Sequence, residues 1–330
     1  MKKIVTLGEV MLRLSPPDHQ RFFQTESFDV VYGGSEANVG SALSFLGNKV
    51  IHLTSFPEGE LGDAAIGNLR KNGLDTDFIQ RFSGRMGIYF LEQGAMQRSS
   101  KIIYDRSDSV FAKNGCKNLN WDLILENVDL LHWSGITPAL SQETANFTLE
   151  AILECRKRDI KVCADPSFRS NLWKYGKNPM DVMPKLLGHS QIIIGGLKDF
   201  KICMGMEEKD MESLVPRLFE VLNELEYVVD TNRISQSSSV NEFSAVLFSR
   251  TSTLHSKNYT LSHIIDRVGT GDAFAGGLLH GLLNEGPQSA IELGVAAAVL
   301  KHSVPGDLLF CSLAELKEVI AGENIGKIKR

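Results

Sequence analysis

The residues best placed to do chemistry lie in a stretch near the C-terminal end of the chain. Gly269-Thr270-Gly271 precedes Asp272, and an apolar helix is predicted over residues 272–283. Two glycines before a helix let the backbone turn its free N–H groups toward one point, where the helix dipole adds partial positive charge. Such a turn binds anions. A carboxylate beside a bound phosphate is ordinarily repelled, so Asp272 makes sense there as a base facing a hydroxyl about to attack that phosphate. In this reading Gly269, Thr270 and Gly271 donate N–H groups to the charged oxygens. Two neighbouring motifs are excluded. A dinucleotide fingerprint needs glycine where Phe274 stands, and the Gly-Lys-Ser/Thr of a Walker loop occurs nowhere in the chain.

The remaining residues must position this turn. A chain of 330 residues buries a large core, and its 43% apolar and 23% charged content is that of a globular protein. The net charge of −5 excludes nonspecific nucleic-acid or membrane binding, which needs a basic surface. Five scattered cysteines with no Cys-x-x-Cys predict reduced thiols in a cytoplasmic protein. Glu9 and Arg13 interrupt the first apolar run too early for a signal peptide, and no apolar run is long enough for a membrane span.

Read in order, the chain opens with a strand over residues 4–7. Short alternating runs follow to Tyr32, then a Gly33-Gly34-Ser35 break and a helix over residues 36–46 closed by Gly47. A second alternating patch spans residues 87–92 and 101–104. Strands and helices then alternate, including a helix over residues 141–157 capped by Ser141, and helices over 272–283, 289–301 and 312–321 finish the chain. This order predicts one α/β domain over residues 1–330, a mostly parallel sheet covered on both faces. The half-polar patches, at about residues 10–32 and 84–108, read as insertions forming a small β-sheet lid.

Two segments carry a family resemblance. Gly33-Gly34-Ser35-Glu36-Ala37-Asn38 resembles the N-terminal Gly-Gly-x-x-x-Asn signature of the ribokinase or PfkB carbohydrate kinases. Asp266-Arg267-Val268-Gly269-Thr270-Gly271-Asp272 resembles that family's C-terminal Asp-Thr-x-Gly-Ala-Gly-Asp signature. Within the family the chain is similar to 2-keto-3-deoxygluconate kinases, through Gly87-Ile88-Tyr89-Phe90, Tyr104-Asp105-Arg106, Asp165-Pro166-Ser167-Phe168-Arg169 and Pro305-Gly306-Asp307 among others. The resemblance implies a ribokinase-like three-layer sandwich, a sugar held between sheet and lid, and ATP with Mg²⁺ entering along the C-terminal half. It also implies that Arg106 and Arg169 bind a sugar carboxylate, as the planar guanidinium fork suits. Tyr89 and Tyr104 would stack on or hydrogen-bond the sugar, Gly34 would let the backbone approach it, and Asp307 would meet a hydroxyl.

Departures from the family pattern concern the nucleotide. The usual Asn-x-x-Glu near the phosphates and metal stands here as Gly196-Leu197-Lys198-Asp199, which leaves Asp199 as the metal candidate. The usual glycine-rich loop is replaced by Asp230-Thr231-Asn232-Arg233-Ile234-Ser235, where Arg233 and Ser235 would meet ATP phosphates. The histidines show no metal spacing, and His132 and His280 read as packed beside core elements. The expected activity is ATP-dependent phosphorylation of the terminal hydroxyl of 2-keto-3-deoxygluconate to its 6-phosphate. The alternatives are a kinase of a neutral ketose such as fructose, and a sugar-binding regulator with degraded nucleotide chemistry. Exposed lid edges predict a homodimer, or a higher homo-oligomer, through the lid.

Overall fold

Strands rich in Val, Ile and Leu on both faces need cover on both sides, and that requirement shapes the main sheet. The computed structural model describes residues 1–235 and 240–322, the side chain of Ser235 excepted. Ten strands form the sheet. From one edge its order is Thr253–His255, Val240–Phe248, Tyr227–Ser235, Ile192–Ile194, Lys161–Asp165, Leu130–Ser134, Lys3–Leu7, Lys49–Leu53 and Leu74–Asp75, with Tyr259–Ser262 also on Val240–Phe248. Pairing is parallel from Tyr227–Ser235 to Leu74–Asp75 and antiparallel beyond.

Alternation along each strand assigns the two faces. Val5, Leu131, Val162, Ile193 and Val228 pack against helices Gln142–Arg156, Pro179–Leu187, Leu197–Met204 and Met211–Val221. Ile4, Leu130, Cys163, Ile192 and Val229 face the other way, onto Ser35–Phe45, Thr270–Asn284 and Pro287–Lys301. The last two helices lie close because small residues line their seam. A Cβ on Gly281 would come within 2.3 Å of the Ala290 Cα. The result is helix, sheet, helix in three layers.

Strand order reverses between Lys3–Leu7 and Leu130–Ser134, which are adjacent and parallel while the sheet grows outward from them in opposite directions. Open α/β sheets bind ligands outside the carboxyl ends of strands at such a point. The lid covers that region. Its four strands run in the order Asp29–Gly33, Met11–Ser15, Ile88–Glu92, Lys101–Asp105. The two sequence patches therefore join into one sheet, through parallel pairing of Leu12 with Ile88 and Leu14 with Phe90. The outer pairs are antiparallel.

Several expectations meet local differences. Phe22 and Phe23 lie in a turn, not a strand. The β-prone run before the 269–271 turn ends at Ser262, because His263 adopts φ +58° and breaks the ladder. The strand beginning at Tyr227 is longer than its apolar core suggests, since its polar end pairs with Val240–Phe248. Helix Leu197–Met204 forms where the sequence reading assigns no element. Gly47 sits at φ +88° just past helix Ser35–Phe45, and Ser141 caps Gln142–Arg156 by accepting the Thr144 N–H at 3.1 Å. Arg156 pairs with Glu224, and Lys157 and Arg158 with Glu154, so the Arg156-Lys157-Arg158 run is a solvated helix end. Among the described residues no helix is long and apolar enough to cross a membrane.

Candidate active site

A cleft of about 700 Å³ opens between the lid and the strand ends. Helix Thr270–Asn284 points its N-terminus into it, and Gly269 caps the helix at φ +78°. Only glycine fits there, because a Cβ would fall 1.8 Å from the Asp307 carbonyl oxygen. The Ala273 N–H returns to the Gly269 carbonyl at 2.8 Å. Among the described residues no acceptor meets the N–H groups of Gly269, Gly271 or Asp272. Thr270 departs from expectation. Its amide turns back toward the Arg267 carbonyl at 3.4 Å, and its hydroxyl accepts from Arg233 Nη2 at 2.9 Å, so Asp272's own amide replaces it among the free donors.

Asp272 is half-buried and lines the cleft. Its Oδ1 accepts from the Ser35 hydroxyl at 2.7 Å, and its Oδ2 from Asn38 Nδ2 at 2.7 Å. Burial raises the carboxyl's pKa above the ordinary aspartate value, while the Asn38 and Ser35 donors pull it down. Both donors sit in the first turns of Ser35–Phe45, which Glu36 anchors. Glu36 is almost wholly buried (1% exposed), and its Oε1 accepts from the hydroxyls of Ser134 and Thr137, each at 2.8 Å. Burial pushes its carboxyl up to about 7 against those donors.

The substrate-side residues fall into different states. Arg169 lines the cleft, is exposed, and has no carboxylate partner among the described residues; its Nη1 donates to the Phe168 carbonyl at 3.1 Å. Arg106 corrects the expectation of two free guanidiniums. It is buried against Glu9, donating through Nε at 2.9 Å and also through Nη2, while Ser109 donates to the other Glu9 oxygen. Tyr104 is exposed on the cleft wall and packs 6.0 Å from the Tyr89 ring. The Tyr89 hydroxyl is turned away, donating to Asp307 Oδ2. Asp307 is 3% exposed, and its Oδ1 accepts from Arg13 Nη1 at 2.6 Å, so both oxygens already have a donor. Gly34 lines the cleft with extended backbone, and a Cβ there would fall 2.0 Å from the Glu9 carbonyl oxygen, so its smallness serves the approach of that backbone.

On the nucleotide side, Arg233 lines the cleft with its guanidinium on Thr270 and 5.5 Å from the Phe243 ring centre. Among the described residues no carboxylate pairs with it, and burial and the nearby Arg267 lower its pKa. The Ser235 side chain lies outside the described residues. Asp199 lies off the cleft wall as the N3 residue of Leu197–Met204, accepting from the Gly196 and Phe168 N–H groups, each at 3.2 Å. Its charge pushes up Asp165, whose burial takes it to about 7, and Asp230, at about 6. Among the described residues no group of three or more acidic, His or Cys side chains forms a closed metal cage. Oxygen donors of this kind suit Mg²⁺ that completes its shell with phosphates and water.

Sequence reasoning missed Glu36, which reads as a surface helix residue, and Arg13, which sits among apolar neighbours on a lid strand. His132 is completely buried as expected, and the five cysteines are free.

The architecture is that of a three-layer sugar-kinase fold, and its sequence relatives give the family. The sequence matches the pfkB family carbohydrate kinases over residues 1–311. The chain belongs to the PfkB family of carbohydrate kinases. It is 30% identical to the 2-dehydro-3-deoxygalactonokinase of Haloferax volcanii over 98% of both chains. The crystal structure of 2-dehydro-3-deoxygluconokinase from Thermotoga maritima superposes with a TM-score of 0.92, at 38% identity, covering 97% of this chain and 98% of that one. A ribokinase II of E. coli described as a complex with ATP and Mg²⁺ shares the fold at a TM-score of 0.83 and 17% identity, covering 98% of this chain and all (100%) of that one.

One consequence concerns Asp272 directly. Asn38→Ala removes a donor that favours the ionised carboxyl, so the Asp272 titration midpoint moves to higher pH. A carbon-detected NMR titration, with Asp272→Asn to assign the signal, reads this, and an unmoved or lowered midpoint would contradict it.

Proposed function

We propose that the chain phosphorylates the terminal hydroxyl of 2-keto-3-deoxygluconate, or a close acid sugar, at the expense of ATP, giving the 6-phosphate. The observation that carries this reading is Asp272, standing on the cleft wall beside free N–H groups at one helix N-terminus. The hydroxyl gives its proton to Asp272 as its oxygen attacks the terminal phosphorus of ATP, and the bond from that phosphorus to the bridging oxygen breaks, releasing ADP. The amides of Gly269, Gly271 and Asp272 meet the transferred group's oxygens, with Thr270 holding Arg233 beside them. Arg233 meets the nucleotide's phosphates, Ser235 is the further candidate contact, and Asp165 on the cleft wall would hold Mg²⁺, with Asp199, whose oxygens accept backbone N–H groups behind it, the further candidate. Bound there, the ion neutralises charge on the phosphate oxygens.

Arg169 takes the sugar carboxylate, being an exposed guanidinium on the cleft wall with no acidic partner among the described residues. Arg106 contributes one face of its fork, with Tyr104 and Tyr89 along the sugar, Gly34 at its backbone wall and Asp307 near a hydroxyl. Each charge-assisted bond of this kind contributes about 1.5–3 kcal/mol. A second reading, a neutral ketose such as fructose, draws on the pairing of Arg106 with Glu9, which leaves less free positive charge than two open arginines. The relatives named for acid sugars favour the first.

The lid also supports self-association. Its edge strands expose Val30 (57%), Ile102 (44%) and Ile103 (53%), and exposed strand edges are commonly covered by pairing two subunits. The protein acts as a homodimer through this sheet, in the cytoplasm.

A coupled ADP-release assay over acid and neutral sugars tests the activity. Asp272→Asn should lower kcat by about 10²–10⁴-fold while sugar binding persists in calorimetry. More than a tenth of the wild-type kcat would refute the base. Arg169→Ala should raise KM for the acid sugar about tenfold or more and leave a neutral sugar unaffected; equal effects on both would refute carboxylate recognition. For the lid, light scattering should give twice the chain mass, and a monomeric mass would end the dimer.

A further inference from the structure

Arg13 has no part in the scheme above, yet its surroundings are built around it. It lies on lid strand Met11–Ser15, is 2% exposed, and does not line the cleft. Its guanidinium leaves the lid and enters the body. Nη1 donates to Asp307 Oδ1 at 2.6 Å, Nη2 to Asp266 Oδ2 at 2.8 Å, and Nε to Ser15 Oγ at 2.8 Å.

Those two carboxylates flank the anion-binding turn in space. Asp266 precedes it, accepting the Val268 N–H at 3.0 Å on one oxygen and the Gly306 N–H at 3.1 Å on the other. Asp307 backs it, its carbonyl oxygen packed against Gly269. One planar fork thus joins the lid, the segment entering helix Thr270–Asn284 and the Gly306-Asp307 turn. An ion pair this deeply buried adds little net stability, because desolvation offsets the attraction. What the fork does supply is fixed geometry, which a lysine ammonium cannot reproduce.

We infer that Arg13 is a positioning residue for phosphoryl transfer: seated from the lid, it fixes Asp266 and Asp307 and through them the aim of the 269–271 turn. The inference rests on the kinase reading. It makes lid seating and turn alignment a single event, so that an unseated lid leaves the amides misdirected.

Kinetics of Arg13→Lys, and of Arg13→Ala with and without added guanidinium chloride at low millimolar concentration, test it beside the wild type. In a folded Arg13→Lys protein, checked by near-ultraviolet circular dichroism, kcat should fall about thirtyfold or more, since misplacements near 1 Å cost about a hundredfold. Sugar KM should change by a smaller factor than kcat, because Arg13 is off the cleft wall and reaches the sugar only through Asp307. Guanidinium should restore part of the Arg13→Ala turnover. An unchanged kcat in folded Arg13→Lys, a raised KM with unchanged kcat, absence of rescue, or failure of both variants to fold would overturn the inference. Absence of turnover by the wild type on any sugar would instead overturn the kinase reading and this inference with it.

Discussion

The interaction on which the structure depends is the pair of hydrogen bonds that Ser35 and Asn38 make to the Asp272 carboxylate. They join the first helix of the chain to a helix near its end. Burial raises the pKa of this carboxyl, and the two donors pull it back down, toward the charged form that can accept a proton. Glu36, one position from Ser35, locks the donor helix onto Ser134 and Thr137 at the sheet's reversal point. Asp272 is thus held by the same sheet ends that form the cleft floor.

The charge arrangement follows from that floor. Asp165, Asp199, Asp230, Asp272 and Asp307 all stand near the carboxyl ends of the strands or the turn beside them; burial, with a smaller push from neighbouring carboxylates, raises the pKa values of Asp165, Asp230 and Asp272. A set of carboxylates is tolerable at one end of a sheet when cations and amides answer it. Arg13 answers Asp266 and Asp307, backbone amides answer Asp199, and helix N-terminal amides stand open beside Asp272. Negative and positive features alternate across a few residues, which suits a reaction that moves a charged group between two oxygens.

Much of the layer order was legible because both-face apolar strands and 3.6-period helices leave strong patterns; a Gly-x-Gly turn before a helix is common, and the 269–271 turn stood out only because Asp272 follows it and the Gly33-Gly34 segment accompanies it. The lid's internal pairing was not. Joining residues 11–15 to residues 88–92 in parallel is a long-range choice that alternation within each patch cannot encode. Arg13 escaped for a related reason. Leu12 and Leu14 suggest the inward face of their strand, yet both are only half-buried and Met11, Arg13 and Ser15 are buried. A charged residue took the inner face because its partners come from the far end of the chain. The pairing of Arg106 with Glu9 was hidden in the same way, and it halves the free positive charge that the arginine pattern promised. Gly34 shows the opposite case, a motif residue whose smallness serves the Glu9 backbone.

The central claim is that Asp272 faces the reacting hydroxyl while the turn beside it faces the phosphoryl group. The most direct measurement is a crystal structure with an acid sugar and a non-hydrolysable ATP analogue bound together. The account predicts the sugar's terminal hydroxyl at about 3 Å from an Asp272 oxygen, with the analogue's terminal phosphate against the amides of Gly271 and Asp272. A sugar bound with that hydroxyl pointing away from Asp272, or a terminal phosphate seated elsewhere in the cleft, would contradict it.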